Sequence, residues 1–390
     1  MTELSQICRF ARESELCQEP IWLATVMRVT GSAYRHPGAR LLFSSGQVLA
    51  GSVSGGCLEA GIVRKGPWLA RERPVCVRFD GSREEDDEES PRGTGCDGIV
   101  DILLERAGFD APCAALTVIE ECLQREGRAV LATVFESSDP LAPVGARLTL
   151  DEAGKFSTQL LSGPAWATLA QAAERALAEA RATTRTVSSD GFRALLEVIE
   201  APPHLFVVGA GPDALPLLEF ATVLGFGVTV CDSSARVAVR ERFAGRAELH
   251  LGSIGSLAEK VAARRTPVAV VMSHHYPTDL AALEMLLASR AAYIGVLGPR
   301  RRTERMLSEL FPNPEALTSA QRARVHAPLG LDLGAETPSQ IALSAIAEIQ
   351  AVLAGGSALP LSARPHLPIH PEVPALSLPA AAELARTGTA

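Results

Sequence analysis

The sequence lacks the features that would place it in several broad classes. No apolar run approaches the ~18 residues that a membrane-spanning helix needs, and the densest, Val268–Met272 between Pro267 and Ser273, is strand-sized. Met1-Thr2-Glu3-Leu4 carries no basic stretch leading into an apolar core, so no secretory signal is expected. The eight cysteines, at positions 8, 17, 57, 76, 96, 113, 122 and 231, include no CxxC pair. That argues against a zinc knuckle or disulfide framework and for a reducing, cytoplasmic setting. Positive charge is not in excess either: 37 basic against 45 acidic residues give a formal charge of −8. An acidic surface disfavours nucleic acid as a partner.

What is present is a chain of 390 residues, 47% hydrophobic and 21% charged. That profile fits a well-packed protein of two or three domains. Part of the acidic excess sits in one run, Glu84 to Glu89, which reads as a solvated loop or as a docking patch for a basic partner.

The N-terminal part is expected to be a β-rich α+β domain over residues 1–190. Strands are expected at Ile21–Val29, Arg40–Ser44, Gln47–Ser52, Val75–Phe79 and Ile99–Glu105, and helices from about Gly55 to Leu69 and Cys113 to Gln124. Leu131-Ala132-Thr133-Val134 followed by Gly145-Ala146-Arg147-Leu148 repeats Leu23-Ala24-Thr25-Val26 followed by Gly38-Ala39-Arg40-Leu41, with spacing one residue different. This points to an internal duplication with halves at about 1–110 and 111–190. The second copy has no counterpart of Gly51-Ser52-Val53-Ser54-Gly55-Gly56-Cys57-Leu58-Glu59. Around Arg181 to Pro203 the pattern loosens. From Leu205 strands and helices alternate, which implies an α/β, Rossmann-like parallel sheet over 200–355. Residues 356–390 read as a Pro/Ala-rich tail.

Val207-Val208-Gly209-Ala210-Gly211-Pro212-Asp213-Ala214 is a strand running into Gly-x-Gly-x-x-Ala, the dinucleotide fingerprint. Gly209 serves the tight turn, Gly211 the approach of a phosphate, and the following helix start faces the anion. Pro212 fits a first helical turn. Asp232, ending the next strand, either grips a ribose or caps its own turn. Ser273, His274 and His275 close one later strand, and Gly298 with Arg300 and Arg301 closes the next. The histidines can touch a ligand or merely cap a helix. The arginines can seat phosphate or form a solvated face.

Ser54-Gly55-Gly56-Cys57 reads as an N-cap serine, two glycines and a cysteine in a first helical turn, where unpaired N–H groups favour thiolate and bound anions. Cys57 could ligate a soft metal, carry sulfur or attack an electrophile, or be a small buried residue. Cys96, in the turn Gly93–Gly98, is the second candidate. The other six cysteines look structural.

These motifs, in this order, resemble the XdhC/CoxI family. Gly31-Ser32-Ala33, Pro37-Gly38-Ala39-Arg40 and Gly51–Glu59 resemble its N-terminal domain. Gly209–Ala214, Met272–His275, Gly295–Arg302, His326–Gly334 and Glu336-Thr337-Pro338 resemble its Rossmann domain. The resemblance implies a cofactor chaperone more than an enzyme. It would bind a molybdenum cofactor, as molybdopterin or its cytosine dinucleotide form. It would support sulfuration with a cysteine desulfurase, and insertion into a xanthine dehydrogenase-like molybdenum hydroxylase apoenzyme. Cys57 and Cys96 fall on family cysteines, although Asp97 stands where the family often has glycine. Two other readings are an NAD(P)-dependent oxidoreductase, for which no Tyr-x-x-x-Lys pair is evident, and a docking subunit that binds nothing small. The expected physical signature is an anion-friendly cleft served by both glycine-lined helix starts, in a homodimer.

Overall fold

The structure is a computed structural model that describes residues 2–31, 33–80, 98–108, 111–179, 183–232, 237–363 and 375–377. Two compact units emerge, one built on Glu3–Ala201 and the other on Pro202–Ala363.

The N-terminal unit runs α1 (Glu3–Leu16), β1 (Ile21–Thr30), β2 (Arg40–Ser44), β3 (Gln47–Gly51), α2 (Glu59–Leu69), β4 (Val75–Asp80) and β5 (Ile99–Arg106). The same series then repeats as α3 (Ala114–Arg125), β6 (Arg128–Ser137), β7 (Arg147–Asp151), β8 (Phe156–Gln159), α4 (Gly163–Ala178), β9 (Thr184–Ser189) and β10 (Phe192–Glu200). The sheets are ordered β3-β2-β1-β5-β4 and β8-β7-β6-β10-β9, with Ala375–Ser377 added parallel to β9. One topology has therefore been built twice.

The repeat extends to single hydrogen bonds. Val26 N–H donates to Ala39 O at 2.9 Å and Gly38 N–H to Val26 O at 2.8 Å; Val134–Ala146 and Gly145–Val134 reproduce both bonds at the same lengths. Gly38 (φ +94°) and Gly145 (φ +88°) take the left-handed conformation that side chains resist, which is why glycine precedes Ala-Arg in each copy. Met27 in β1 and Phe135 in β6 are each passed over as the register shifts against β5 and β10. These two bulged residues bury together with Leu103 and Leu195.

Each half also supplies charge to the other. Arg40 on β2 pairs at 2.8 Å with Glu197 on β10, while Arg147 on β7 pairs at 2.5 Å with Glu105 on β5. All four side chains are at most 6% exposed, so each ion pair is compensated inside the unit and not by water.

Several expectations shift. The stretch that looked loose holds β9 and β10, so this unit reaches Ala201, beyond residue 190. Leu195, Leu196 and Val198 are buried there, but Arg193, Glu197 and Glu200 interrupt the apolar run and mask its period. Three residues of the expected tail, 375–377, are a strand of the second sheet. The helices α1 and α4 had no expected counterpart. Helix α2 starts at Glu59, four residues after Gly55, because residues 52–58 form a loop of their own. Ser32, the acidic run 84–89 and Cys96 lie outside the described residues.

The C-terminal unit runs β11 (His204–Val208), α5 (Ala214–Val223), β12 (Gly227–Asp232), α6 (Val237–Phe243), β13 (Glu248–Leu251), α7 (Ile254–Ala263), β14 (Pro267–Val271), α8 (Tyr276–Ala288), β15 (Tyr293–Val296), α9 (Arg300–Leu310), α10 (Ser319–Ala323), β16 (Val325–His326) and α11 (Pro338–Ala354). All six strands are parallel, in the order β13-β12-β11-β14-β15-β16. This is the doubly wound 3-2-1-4-5-6 arrangement. Strand alternation feeds both faces: Leu205, Val207 and Val270 pack under α5 and α11, whereas Phe206, Val208 and Val271 pack under α7, α8 and α9. Thr337 and Gln340 form a capping box on α11, Pro338 opens its first turn, and left-handed Gly355 ends it.

Candidate functional site

In a sheet of this order, ligands sit outside the carboxyl ends of the strands where the winding reverses, between β11 and β14. Gly209 leaves β11 at φ +123°, and its N–H donates to Cys231 O at 2.9 Å. A Cβ at Gly209 would lie 2.6 Å from Met272 O and 2.8 Å from Ser273 Cα. The first fingerprint glycine therefore lets two strand tips touch. Gly211 meets a different group: its Cβ would fall 2.2 Å from Asp213 Oδ1. The carboxylate of Asp213 is folded back over the loop, and its Oδ2 lies 2.9 Å from His274 Nε2. Pro212 lies in the turn before α5, where Leu215 N–H donates to its carbonyl at 3.2 Å.

His274 holds a left-handed φ of +59°, unusual for a residue with a side chain. Its neighbours account for the fixed turn. Buried Asp279 on α8 accepts from Ser273 N–H at 3.2 Å and Ser273 Oγ–H at 2.5 Å, and pairs at 2.7 Å with Arg302. His275 is the N-cap residue of α8, with Nδ1 2.8 Å from Thr278 Oγ1. Gly298 (φ +126°) turns the chain after β15, and Arg300 and Arg301 stand exposed in the first turn of α9. Asp232 closes β12 beside the glycine loop. Asp279 and Arg242, whose guanidinium donates to Ala210 O at 2.6 Å, were not singled out from the sequence, and Arg302 was read as part of a basic run that seats an anion, not as the partner of a buried carboxylate. Their partners are 6 to 32 positions away, and no local spacing announces such pairs.

A pocket of about 220 Å³ opens at this edge. Its floor is apolar, from Leu217, Met272, Leu297, Leu329 and Ile341, and its polar lining is Asp213, His274 and Glu336. The loop carrying Leu329 is held by Glu348 on α11, which accepts from Gly330 N–H at 2.8 Å and Tyr293 Oη–H at 2.6 Å and meets His326 Nδ1 at 3.1 Å. Burial raises the Glu348 pKa, but hydrogen bonds from His326, Tyr293 and Gly330 outweigh it and the net shift is downward. Part of the His326–Gly334 motif thus serves to shape the pocket wall.

The cysteine loop of the N-terminal unit is organised by an acid. Glu59 Oε1 accepts from Ser52 Oγ–H (2.7 Å) and from the N–H groups of Val53 (3.1 Å), Ser54 (2.9 Å) and Gly55 (3.4 Å). Its Oε2 accepts from Gly56 N–H (3.0 Å) and from Ser54 Oγ–H. Burial acts to raise the Glu59 pKa, but the hydroxyls of Ser54 and Ser52 and the loop N–H groups outweigh it and hold it at about 2. Ser54 does not cap α2, whose N-cap is Leu58; its Oγ instead accepts from Gly56 and Leu58 N–H. Cys57 stands two residues before the helix with its side chain exposed, which rules out the buried reading. By contrast, burial pushes Cys8 and Cys113 up to about 11 and Cys76 and Cys231 to about 12. Cys17 is exposed rather than packed.

Both glycine-lined starts expected to seat an external anion therefore already face a carboxylate of the chain, Glu59 in one case and Asp213 in the other. Among the described residues, no three of His, Cys, Asp and Glu converge as a metal site, and no helix is long and apolar enough to cross a membrane.

A doubly wound sheet with a glycine-loop crevice, preceded in the chain by a duplicated β-rich unit with an exposed thiol, defines a two-part α/β protein built around a Rossmann fold. Family comparisons narrow this further. The model of the XdhC Rossmann domain matches residues 205–349, and that of the XdhC and CoxI family matches residues 17–80. The chain is 30% identical over 337 residues to a probable xanthine dehydrogenase subunit from Bacillus subtilis (strain 168), spanning 85% of this chain and 93% of that one. It is 32% identical over 148 residues to the uncharacterized protein YqeB of Escherichia coli (strain K12), which covers 38% of this chain and 27% of that protein. Its fold resembles the crystal structure of a xanthine dehydrogenase from Bacillus halodurans, with a TM-score of 0.72, 24% identity, and coverage of 94% of this chain and 98% of that one. The chain belongs to the XdhC/CoxI family.

Proposed function

We propose that this protein is a maturation factor for a xanthine dehydrogenase-type molybdenum hydroxylase, and that it acts by binding the pterin-type molybdenum cofactor at the Rossmann edge. The observation that carries the reading is the pocket at the β11/β14 switch point, inside the stretch matched by the XdhC Rossmann model. The family relationship and the name of the Bacillus subtilis relative support the client class.

The donor set fits the cofactor in part. The apolar floor of Leu217, Met272 and Ile341 suits a flat ring, and Asp213, His274 and Glu336 give it polar partners. The phosphate does not fit against Asp213 at the start of α5, where two anions would meet. Arg300 and Arg301, exposed at the start of α9, supply fixed positive charge for it, with Gly298 and Ser273 shaping the same edge. When bound, the cofactor would supply a molybdenum ligand position at which oxygen is exchanged for sulfur. Cys57 is the thiol we assign to sulfur handling and to ligation of a soft metal, because it is exposed on a loop that Glu59 holds still. We assign Cys96 to the same task. A cysteine desulfurase as sulfur donor, the hydroxylase apoenzyme as recipient, a homodimer and a cytoplasmic setting complete the proposal.

One observation favours a second reading, an NAD(P)-dependent oxidoreductase: Asp232 ends β12 beside Gly209, where a ribose hydroxyl is gripped in dinucleotide enzymes. The two part company in one experiment. The protein is purified from cells able and unable to make molybdopterin, and released pterin is assayed by fluorescence. Pterin only from the competent cells supports the maturation reading. Equal, negligible pterin from both, together with tight NAD binding, gives the oxidoreductase instead. Cys57→Ser should lose hydroxylase activation while remaining folded; normal activation of the client would remove the thiol from the reading.

A further inference from the structure

The switch-point pocket has an unusual balance for a nucleotide-type site. At about 220 Å³ it falls below the ~300–1,000 Å³ of sites that enclose a drug-sized ligand. It holds one ring system, and the rest of a larger ligand must lie outside. Its lining includes two acidic residues, Asp213 and Glu336, against one histidine, and neither lysine nor arginine. Asp213 is committed through Oδ2 to His274. Glu336 is fixed through its backbone, because its N–H donates to Gln340 Oε1 at 3.0 Å beside the Thr337 capping box. No ion pair of the Glu336 carboxylate is found among the described residues.

An apolar floor flanked by Glu336, whose carboxylate has no ion pair among the described residues, is a poor seat for phosphate and suits a flat ring that presents N–H donors at one edge. An ionised carboxylate has two acceptor oxygens and no proton to give, so its complement is a pair of parallel N–H groups. A 2-amino-pyrimidin-4-one offers that pair, a ring N–H beside an exocyclic NH₂, and the edge is common to pterins and guanine. Cytosine presents an NH₂ next to an unprotonated ring nitrogen, and that lone pair would face the carboxylate oxygen.

We infer that the pocket reads the N–H/NH₂ edge of a 2-amino-pyrimidin-4-one ring through Glu336, with the ring lying on Met272 and Ile341 and any phosphate outside. The inference rests on the proposed cofactor reading and deepens it: the pterin end enters the pocket, and a cytosine end does not.

The test uses the full chain and matched probes in calorimetric titrations. 6-Hydroxymethylpterin is compared with 6-hydroxymethyllumazine, which has the same rings with oxygen in place of the 2-amino group; guanosine, cytidine and NAD complete the set. Pterin should bind about tenfold or more tighter than lumazine, the scale of one charge-assisted hydrogen bond. Cytidine should be weakest, and Glu336→Gln should shrink the pterin-to-lumazine gap to about threefold or less with the melting temperature unchanged. Guanosine matching pterin would also support the edge and identify a nucleobase as its source. If wild type binds pterin and lumazine alike, or Glu336→Gln keeps the full gap, the edge-reading inference is overturned while pterin binding itself stands. If NAD binds and pterin does not, the cofactor reading falls with it.

Discussion

Replacing Glu59 by glutamine keeps the shape of the side chain and removes the charge that six loop donors face. The size of the effect follows from the carboxyl group's pKa, which drops from 4.5 to about 2 in the folded protein. At 1.36 kcal/mol per pH unit, that fall is worth about 3 kcal/mol at neutral pH. The sign is fixed by which state holds the proton. Between pH 4.5 and 2 the unfolded chain protonates Glu59 and the folded chain does not. The contribution is therefore complete above pH 4.5 and fades as pH falls toward 2. At pH 3.5 about 2 kcal/mol should remain. Urea unfolding followed by tryptophan fluorescence suits the measurement, because Trp22, Trp68 and Trp166 all lie in the N-terminal unit. The gap between wild type and Glu59→Gln should be about 3 kcal/mol at pH 7 and smaller at pH 3.5. A gap below about 1 kcal/mol at pH 7, or an equal gap at both pH values, would refute the claim that an ionised Glu59 organises the cysteine loop.

Arg147→Met should destabilise the N-terminal unit by about 3–5 kcal/mol, since Glu105 is left charged and buried; adding Glu105→Leu should restore most of it in the same urea assay. Gly209→Ala should destabilise the C-terminal unit by several kcal/mol or prevent its folding, because the new Cβ meets the backbone of Met272 and Ser273 at a φ of +123°; unchanged melting by circular dichroism would contradict the close approach. Burial lowers the His204 pKa from 6.5 to about 4. The unfolded chain then binds a proton that the folded chain refuses between pH 6.5 and 4, so stability should fall with pH across that window. An NMR titration placing the His204 midpoint above 6 would remove that contribution.

The Rossmann unit was largely legible because each of its signals is local. A strand runs into Gly209-Ala210-Gly211, apolar runs are strand-sized, and Glu336-Thr337-Pro338 stands just before α11. The duplication was legible too, since Gly38 and Gly145 are required by backbone geometry and hold the two copies in register. What stayed hidden depends on distant partners. Nothing near Asp279 in the chain announces Arg302, and nothing near Arg40 announces Glu197. The start of α2 was misplaced for a related reason. Ser54, Gly55 and Gly56 look like a helix cap until Glu59 is seen to draw their N–H groups back into a closed loop. Strand β10 was missed because Arg193, Glu197 and Glu200 break its apolar pattern, and at least Glu197 is inside to meet a charge from the other repeat.

The crossed pairing of Arg40 with Glu197 and Arg147 with Glu105 makes the two copies hostages of one another. A fragment ending after the first copy would carry a guanidinium and a carboxylate stripped of their counterions, and so would the complementary fragment. The later copy has no cysteine loop of its own, yet it could not be discarded without stranding charge in the interior of the one that does.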